Sequence, residues 1–188
     1  MVSYLKDLKG IGLQVLIALF FLAGNLYAQN SADEAFQRGV ECVNKGMEKE
    51  AIVELTMAIA LKPYNAEAYY QRAVAYQVLS YEEGGNIDLA VADFTKAIEI
   101  NPNHADAYFN RGLAYQSKGD IEWAISDYSK VLEIDPKYAE AYSERAEIYY
   151  LRHEYEKAWE DVHKLKELGR EIDFGSLEDL KRESGRQE

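Results

Sequence analysis

Residues 105–138 read ADAYFNRGLAYQSKGDIEWAISDYSKVLEIDPKY, and the spacing of the apolar residues in this stretch decides the architecture. Ala107-Tyr108, Arg111-Gly112 and Ala114-Tyr115 recur at three- and four-residue steps and mark one face of a helix. Ala124, Tyr128, Val131 and Leu132 mark one face of a second. Lys118-Gly119-Asp120 stands between them, with Gly119 suited to a left-handed stop and Asp120 to capping the helix that follows. The unit is a helical hairpin.

Outward from this stretch the pattern repeats. Pro102 and Pro136 close Ile-Glu-Ile-Asn-Pro and Leu-Glu-Ile-Asp-Pro and stand 34 positions apart, while Pro63 stands 39 before Pro102. The five-residue excess is read as an insertion at Tyr81-Glu82-Glu83-Gly84-Gly85-Asn86, between two helical patterns. Self-similarity at a fixed period implies an array in which each unit buries its apolar face against its neighbours. Gly39, Ala73, Gly112 and Ala146 occupy one position of the first helix, and Ala51, Ala90, Ala124 and Ala158 one position of the second. Such small side chains let two helix axes approach, with Tyr76, Tyr115 and Tyr149 filling space one turn away. Arg38, Arg72, Arg111 and Arg145 share a first-helix position; Glu54, Asp93, Asp127 and Asp161 share a second-helix one. They are expected to pair within each hairpin as structural elements.

These residues resemble the tetratricopeptide repeat family. The third unit carries its pattern as Tyr108, Gly112, Tyr115, Ala124, Tyr128, Val131 and Pro136. The first departs most, with Ala35 and Cys42 where aromatics are expected, and the fourth lacks the closing proline. The resemblance implies an all-α fold of tandem helical hairpins stacked into a right-handed α-solenoid. The expected organisation is an address at 1–28, a divergent repeat at 29–64, a repeat with the insertion at 65–104, repeats at 105–138 and 139–170, and a capping helix and tail at 171–188. Leu177 and Leu180, after Ser176 as cap, are expected to cover the apolar end of the fourth repeat.

The resemblance also implies a concave groove lined by the first helix of each repeat. The residues mapped to it are Phe36, Val40 and Val43, then Tyr70, Val74 and Gln77, then Phe109, Leu113 and Gln116, then Ser143, Glu147 and Tyr150, with Asp33, Glu67, Asp106 and Glu140 along an edge. Phe36, Tyr70 and Phe109 are expected to stand exposed in it, where binding energy concentrates. One well-known variant of the family holds the carboxylate tail of a chaperone with Lys, Asn and Arg. Here those positions carry Phe36, Val40, Gln71, Asp106 and Asn110, so that mode is not expected. The chain is expected to be a non-catalytic scaffold for a protein or peptide, apolar with some basic residues. Self-association as a structural part of an envelope complex is the competing reading.

The first 28 residues read as an export address: Lys6 and Lys9, an apolar run from Ile11 to Ala23, then Leu26-Tyr27-Ala28 before Gln29. The run is shorter than the roughly 20 residues of a spanning helix, which favours cleavage after Ala28. Leu26 is bulky for its place, so an uncleaved anchor is the alternative. The location implied is periplasmic or extracellular. Cleavage would remove two lysines and one aspartate and change the net charge from −12 to −13. No basic block offsets that acidity, which argues against nucleic acid. The single Cys42 is expected to be buried.

Nothing in the chain assembles a catalytic or metal site. Glu160 and His163 make one Glu-x-x-His pair where a di-iron bundle needs two pairs and further carboxylates. His153-Glu154 lacks the second histidine of a zinc-protease helix, and Gly84-Gly85 is not followed by the lysine of a phosphate loop. No cofactor is expected.

Overall fold

The computed structural model describes residues 30–170 and 177–185, with the side chains of 177–179 outside that set. The address at 1–28, Ser176 and the Leu177 side chain therefore lie outside the described residues. Four helical hairpins follow one another: α1 (30–44) with α2 (Glu48–Leu61), α3 (Ala66–Glu83) with α4 (Ile87–Ile100), α5 (Ala105–Lys118) with α6 (Ile121–Ile134), and α7 (Ala139–Leu151) with α8 (Tyr155–Glu167). A ninth helix, α9 (Leu177–Ser184), packs on α8. Each first helix also contacts the second helix of the hairpin before it, so the units form a solenoid. No strand occurs among the described residues.

Helix ends follow from local chemistry. α2, α4 and α6 stop two residues before Pro63, Pro102 and Pro136, since proline excludes the residue before it from helical backbone. α8 has no such proline and ends instead at Gly169, whose φ of 69° is left-handed. Gly119 ends α5 with a φ of 80°, as its sequence context implied. Asp120 does not behave as expected: it holds the N-cap position of α6, but its side chain accepts no capping hydrogen bond. Instead it lies 3.7 Å from Lys118 Nζ. Side-chain caps are made by Asn65, which accepts from the Ala68 amide at 3.2 Å, and Asn86, which accepts from the Asp88 amide at 2.8 Å.

The insertion is not the turn that the sequence suggested. α3 has 18 residues and α5 has 14, so most of the extra length continues the helix. Tyr81, Glu82 and Glu83 contain no breaker, and the chain turns only at the left-handed Gly84. The added turn reaches back to the first hairpin, where Lys49 Nζ donates to Glu83 at 2.9 Å.

Within each hairpin the small positions are buried. A methyl at Gly39 would stand 2.5 Å from Leu55 Cγ, and one at Gly112 2.6 Å from Tyr128 Cε1. The repeated ion pairs form as expected: Arg38 Nε to Glu54 at 2.9 Å, and bidentate pairs Arg72–Asp93, Arg111–Asp127 and Arg145–Asp161 at 2.7–2.9 Å. Each bidentate arginine has a further partner that the spacing of the acids did not reveal. Its third nitrogen donates to a hydroxyl on the preceding repeat: Arg72 to Thr56 at 2.9 Å, Arg111 to Thr95 at 3.0 Å, Arg145 to Ser129 at 2.8 Å. The Thr95 and Ser129 hydroxyls in turn donate to Val91 and Ile125 carbonyls one helical turn back. Arg72 and Arg111 each lie near two tyrosine rings, Tyr69 and Tyr76 in one case and Tyr108 and Tyr115 in the other, at 5.5–6.0 Å. Burial opposes the charge of Arg111, yet hydrogen bonding and the charge of Asp127 outweigh it and hold the guanidinium above its ordinary value.

The two ends of the array are closed differently. Ala75, Ala114 and Ile148 are buried under the repeat before them, but the equivalent residue of α1 is Glu41, exposed and paired with Lys45 at 2.7 Å. At the other end Leu180 of α9 is fully buried against Trp159 and Val162 of α8, and Trp159 Nε1 donates to Ser184 at 2.9 Å. Cys42 is only half-buried, contrary to expectation, as are Tyr76, Tyr115 and Tyr149 at the equivalent position of the other repeats.

Candidate functional site

The groove residues arise from helical register. Residues three before, one after and four after the small packing position of each first helix lie on the face opposite the second helix's ion pair. Phe36, Val40, Tyr70, Val74, Phe109, Leu113 and Gln116 are all half-buried. Val40, Val74 and Leu113 are equivalent residues of α1, α3 and α5 and continue a single apolar stripe from one repeat to the next.

The aromatic residues are less available than their positions suggested. Tyr70 lies 5.9 Å from Phe94 and 4.8 Å from His104, ring centre to ring centre, and its hydroxyl accepts from Asn110 Nδ2 at 3.3 Å. Phe109 lies 5.7 Å from Tyr128 and 5.1 Å from Tyr138. Both rings wedge between their own hairpin and the start of the next, which leaves them half-buried where exposure was expected. Burial, then the charges of Asp106 and Glu67, push the Tyr70 hydroxyl up to about 12.

Three of the four edge carboxylates are already engaged, and Glu140 is exposed. Asp33 accepts from Lys62 Nζ at 2.6 Å, and Asp106 accepts from the Tyr138 hydroxyl at 2.9 Å. Glu67 accepts from Gln71 at 2.7 Å and lies 3.3 Å from His104 Nε2. These contacts join each first helix to the loop that follows its hairpin. Beside them opens a cleft of about 970 Å³ lined by Asp33, Lys62, Tyr64, Glu67, His104 and Asp106 among others, and none of the seven groove residues lines it.

A polar network crosses the stripe at its other side. Gln77 Nε2 donates to the Tyr81 hydroxyl at 3.1 Å, and the buried Tyr128 hydroxyl donates to Gln116 Oε1 at 2.7 Å. Gln116 also acts on Glu144, a residue that the sequence did not single out. Burial and then the neighbouring Glu147 push the Glu144 carboxyl above its ordinary value, with Gln116 acting in the opposite sense. The sequence did hold a signal, since the equivalent positions of Glu144 are Gln37, Gln71 and Asn110 and those of Glu147 are Val40, Val74 and Leu113.

Among the described residues no three His, Cys, Asp or Glu side chains come together as metal ligands. Glu160 and His163 are both exposed on α8, and His163 lies against Trp159 at 5.7 Å. Among the same residues no helix is long and apolar enough to cross a membrane.

Three tetratricopeptide family models match, at residues 79–119, 105–138 and 128–160. Among solved structures, a crystal structure of MamA is 27% identical with a TM-score of 0.68, over 74% of this chain and 79% of that one. The first tetratricopeptide domain of the human RPAP3 protein is 30% identical with a TM-score of 0.59, over 65% of this chain and 92% of that one. The first such domain of Spaghetti (RPAP3), bound to the HSP90 peptide SRMEEVD, is 29% identical with a TM-score of 0.61, over 66% and 95% of the two chains. No curated protein matches the sequence. With the repeat pattern, the stacked hairpins and these likenesses in agreement, the chain belongs to the tetratricopeptide repeat family.

Proposed function

We propose that the array is a non-catalytic scaffold that holds a peptide or protein segment along Phe36, Val40, Tyr70, Val74, Phe109, Leu113 and Gln116, in an exported compartment. The observation that carries this reading is the half-exposed stripe of Val40, Val74 and Leu113, which runs through three successive repeats without a covering element among the described residues. A contiguous apolar band on an otherwise charged surface marks an interaction site. The peptide-bound neighbour supports it at the level of the fold. Its peptide is acidic, whereas this groove carries Glu147 and no lysine or arginine at the mapped positions, so a ligand of the opposite charge is favoured. Export rests on the residues before 30, whose address pattern implies a periplasmic or extracellular location.

The test is affinity capture from the source cells with the native chain and with a Val74→Gln, Leu113→Gln variant of equal helicity. A protein retained by the native chain and lost by the variant supports the groove. Equal retention places binding elsewhere and sinks it.

A second reading, self-association, has its own observation. Lys96–Glu99, Lys130–Glu133 and Lys164–Glu167 form ion pairs at 2.7–2.8 Å on the outer side of α4, α6 and α8. The first repeat has Met57 and Ala60 at those positions, and Met57 and Val53 are 48% and 64% exposed. An apolar stripe is thus presented only by α2, and the mass of the chain in solution decides whether a second copy covers it.

A further inference from the structure

Three of the edge carboxylates, Asp33, Glu67 and Asp106, are spent on internal partners, and the fourth, Glu140, is exposed to solvent. Glu144 and Glu147 are in neither condition. They lie three residues apart on α7, so they share a helix face. Glu147 continues the line of Val40, Val74 and Leu113, and Glu144 sits beside Gln116. Both are half-buried, and among the described residues no lysine or arginine pairs with either. Arg145, although adjacent in the chain, is spent on Asp161 and Ser129. Two partly desolvated carboxylates with no cation between them repel each other, and a cation placed there would relieve both the repulsion and the loss of hydration.

The side chain next to Glu144 is held in turn. The Tyr128 ring is fully buried and its hydroxyl donates to Gln116 Oε1 at 2.7 Å, which fixes the side chain whose influence on the Glu144 carboxyl opposes that of burial. An apolar stripe therefore ends at two half-buried carboxylates. Resting on the groove reading, we propose that the ligand is an apolar peptide segment bearing an arginine or lysine, whose cation seats against Glu144 and Glu147 while its apolar side chains lie on Leu113, Val74 and Val40.

The experiment is selection of a displayed random-peptide library on the immobilised full chain, on a Glu144→Gln, Glu147→Gln variant and on the Val74→Gln, Leu113→Gln variant, with helicity checked for each. The native chain should enrich peptides with a basic residue at a fixed distance from apolar ones. The double-glutamine variant should keep the apolar preference and lose the basic one, with affinity for a selected arginine peptide falling about tenfold, as expected for loss of a charge-assisted contact. The stripe variant should lose both. Enriched apolar peptides with no basic residue would overturn this inference and leave the groove reading standing. So would a basic preference that survives in the double-glutamine variant, or basic peptides that bind the stripe variant as well as the native chain. Enrichment of nothing above bare resin would instead count against the groove reading itself.

Discussion

Gly112 has no room for a side chain, because a methyl there would stand 2.6 Å from a Tyr128 ring that is buried and tethered through its hydroxyl to Gln116. Alanine is favoured over glycine in a helix by about 1 kcal/mol, but overpacking costs roughly 1–3 kcal/mol. Gly112→Ala should therefore lower stability by about 1 kcal/mol net, read as an earlier urea midpoint with an unchanged slope. The ion pairs are more demanding. Asp127 and Arg111 side chains are 6% and 14% exposed, so Asp127→Asn strands a buried guanidinium and should cost about 3 kcal/mol. Thr95→Val removes only one acceptor of Arg111 and should cost about 1 kcal/mol in the same titration. Burial governs Glu144 instead. Its folded-state value is raised above the ordinary 4.5, so the native state holds the proton more tightly than the unfolded chain does. The stability this contributes is fully present below the unfolded value and is lost as pH rises through the folded one. Glu144→Gln should accordingly raise the melting temperature at neutral pH and flatten its pH dependence above 4.5. A melting temperature that falls at neutral pH would show Glu144 to be stabilised by a contact outside this network.

Two helices show what an element's neighbours do to its local signals. The insertion in α3 reads as a turn because Gly84-Gly85 is conspicuous, yet Tyr81 to Glu83 are helix-compatible and have tertiary contacts to satisfy: Tyr81 with Gln77, and Glu83 with Lys49. The helix ran on to the glycine. α9 is too short to be stable alone, since an isolated helix under about 12 residues is marginal in water. It persists through Leu180, which lies in the cluster of Trp159 and Val162. Leu180→Ala should cost about 3 kcal/mol. It should also shift Trp159 emission to the red by admitting water, while Trp123, already 64% exposed, contributes no such change. Unchanged emission would mean that α9 is not what shields Trp159.

At the scale of the whole molecule the array is defined by how it stops. Glu41 and Lys45 make the α1 end polar, and α9 makes the α8 end dry. What remains is the outer stripe of Val53 and Met57 on α2, unlike any other repeat. Met57→Lys with Ala60→Glu restores the pair that the other three repeats carry. If the stripe is an interface between copies, this variant should halve the mass of a native dimer in sedimentation. Equal masses for the two chains would leave the groove as the working surface.

The sequence by itself determined the hairpins, their number and the arginine–acid pairs. A period of 34 residues places equivalent residues in equivalent surroundings, and helical spacing says which of them face one another inside one unit. The small positions and the prolines were legible for the same reason. Contacts between units were not. The bonds to the hydroxyls of Thr56, Thr95 and Ser129 depend on the angle at which one hairpin stacks on the next. Summed packing of many side chains sets that angle, and no local spacing records it. Tertiary structure alone therefore decided which arginine nitrogens are spent in holding one repeat to the next.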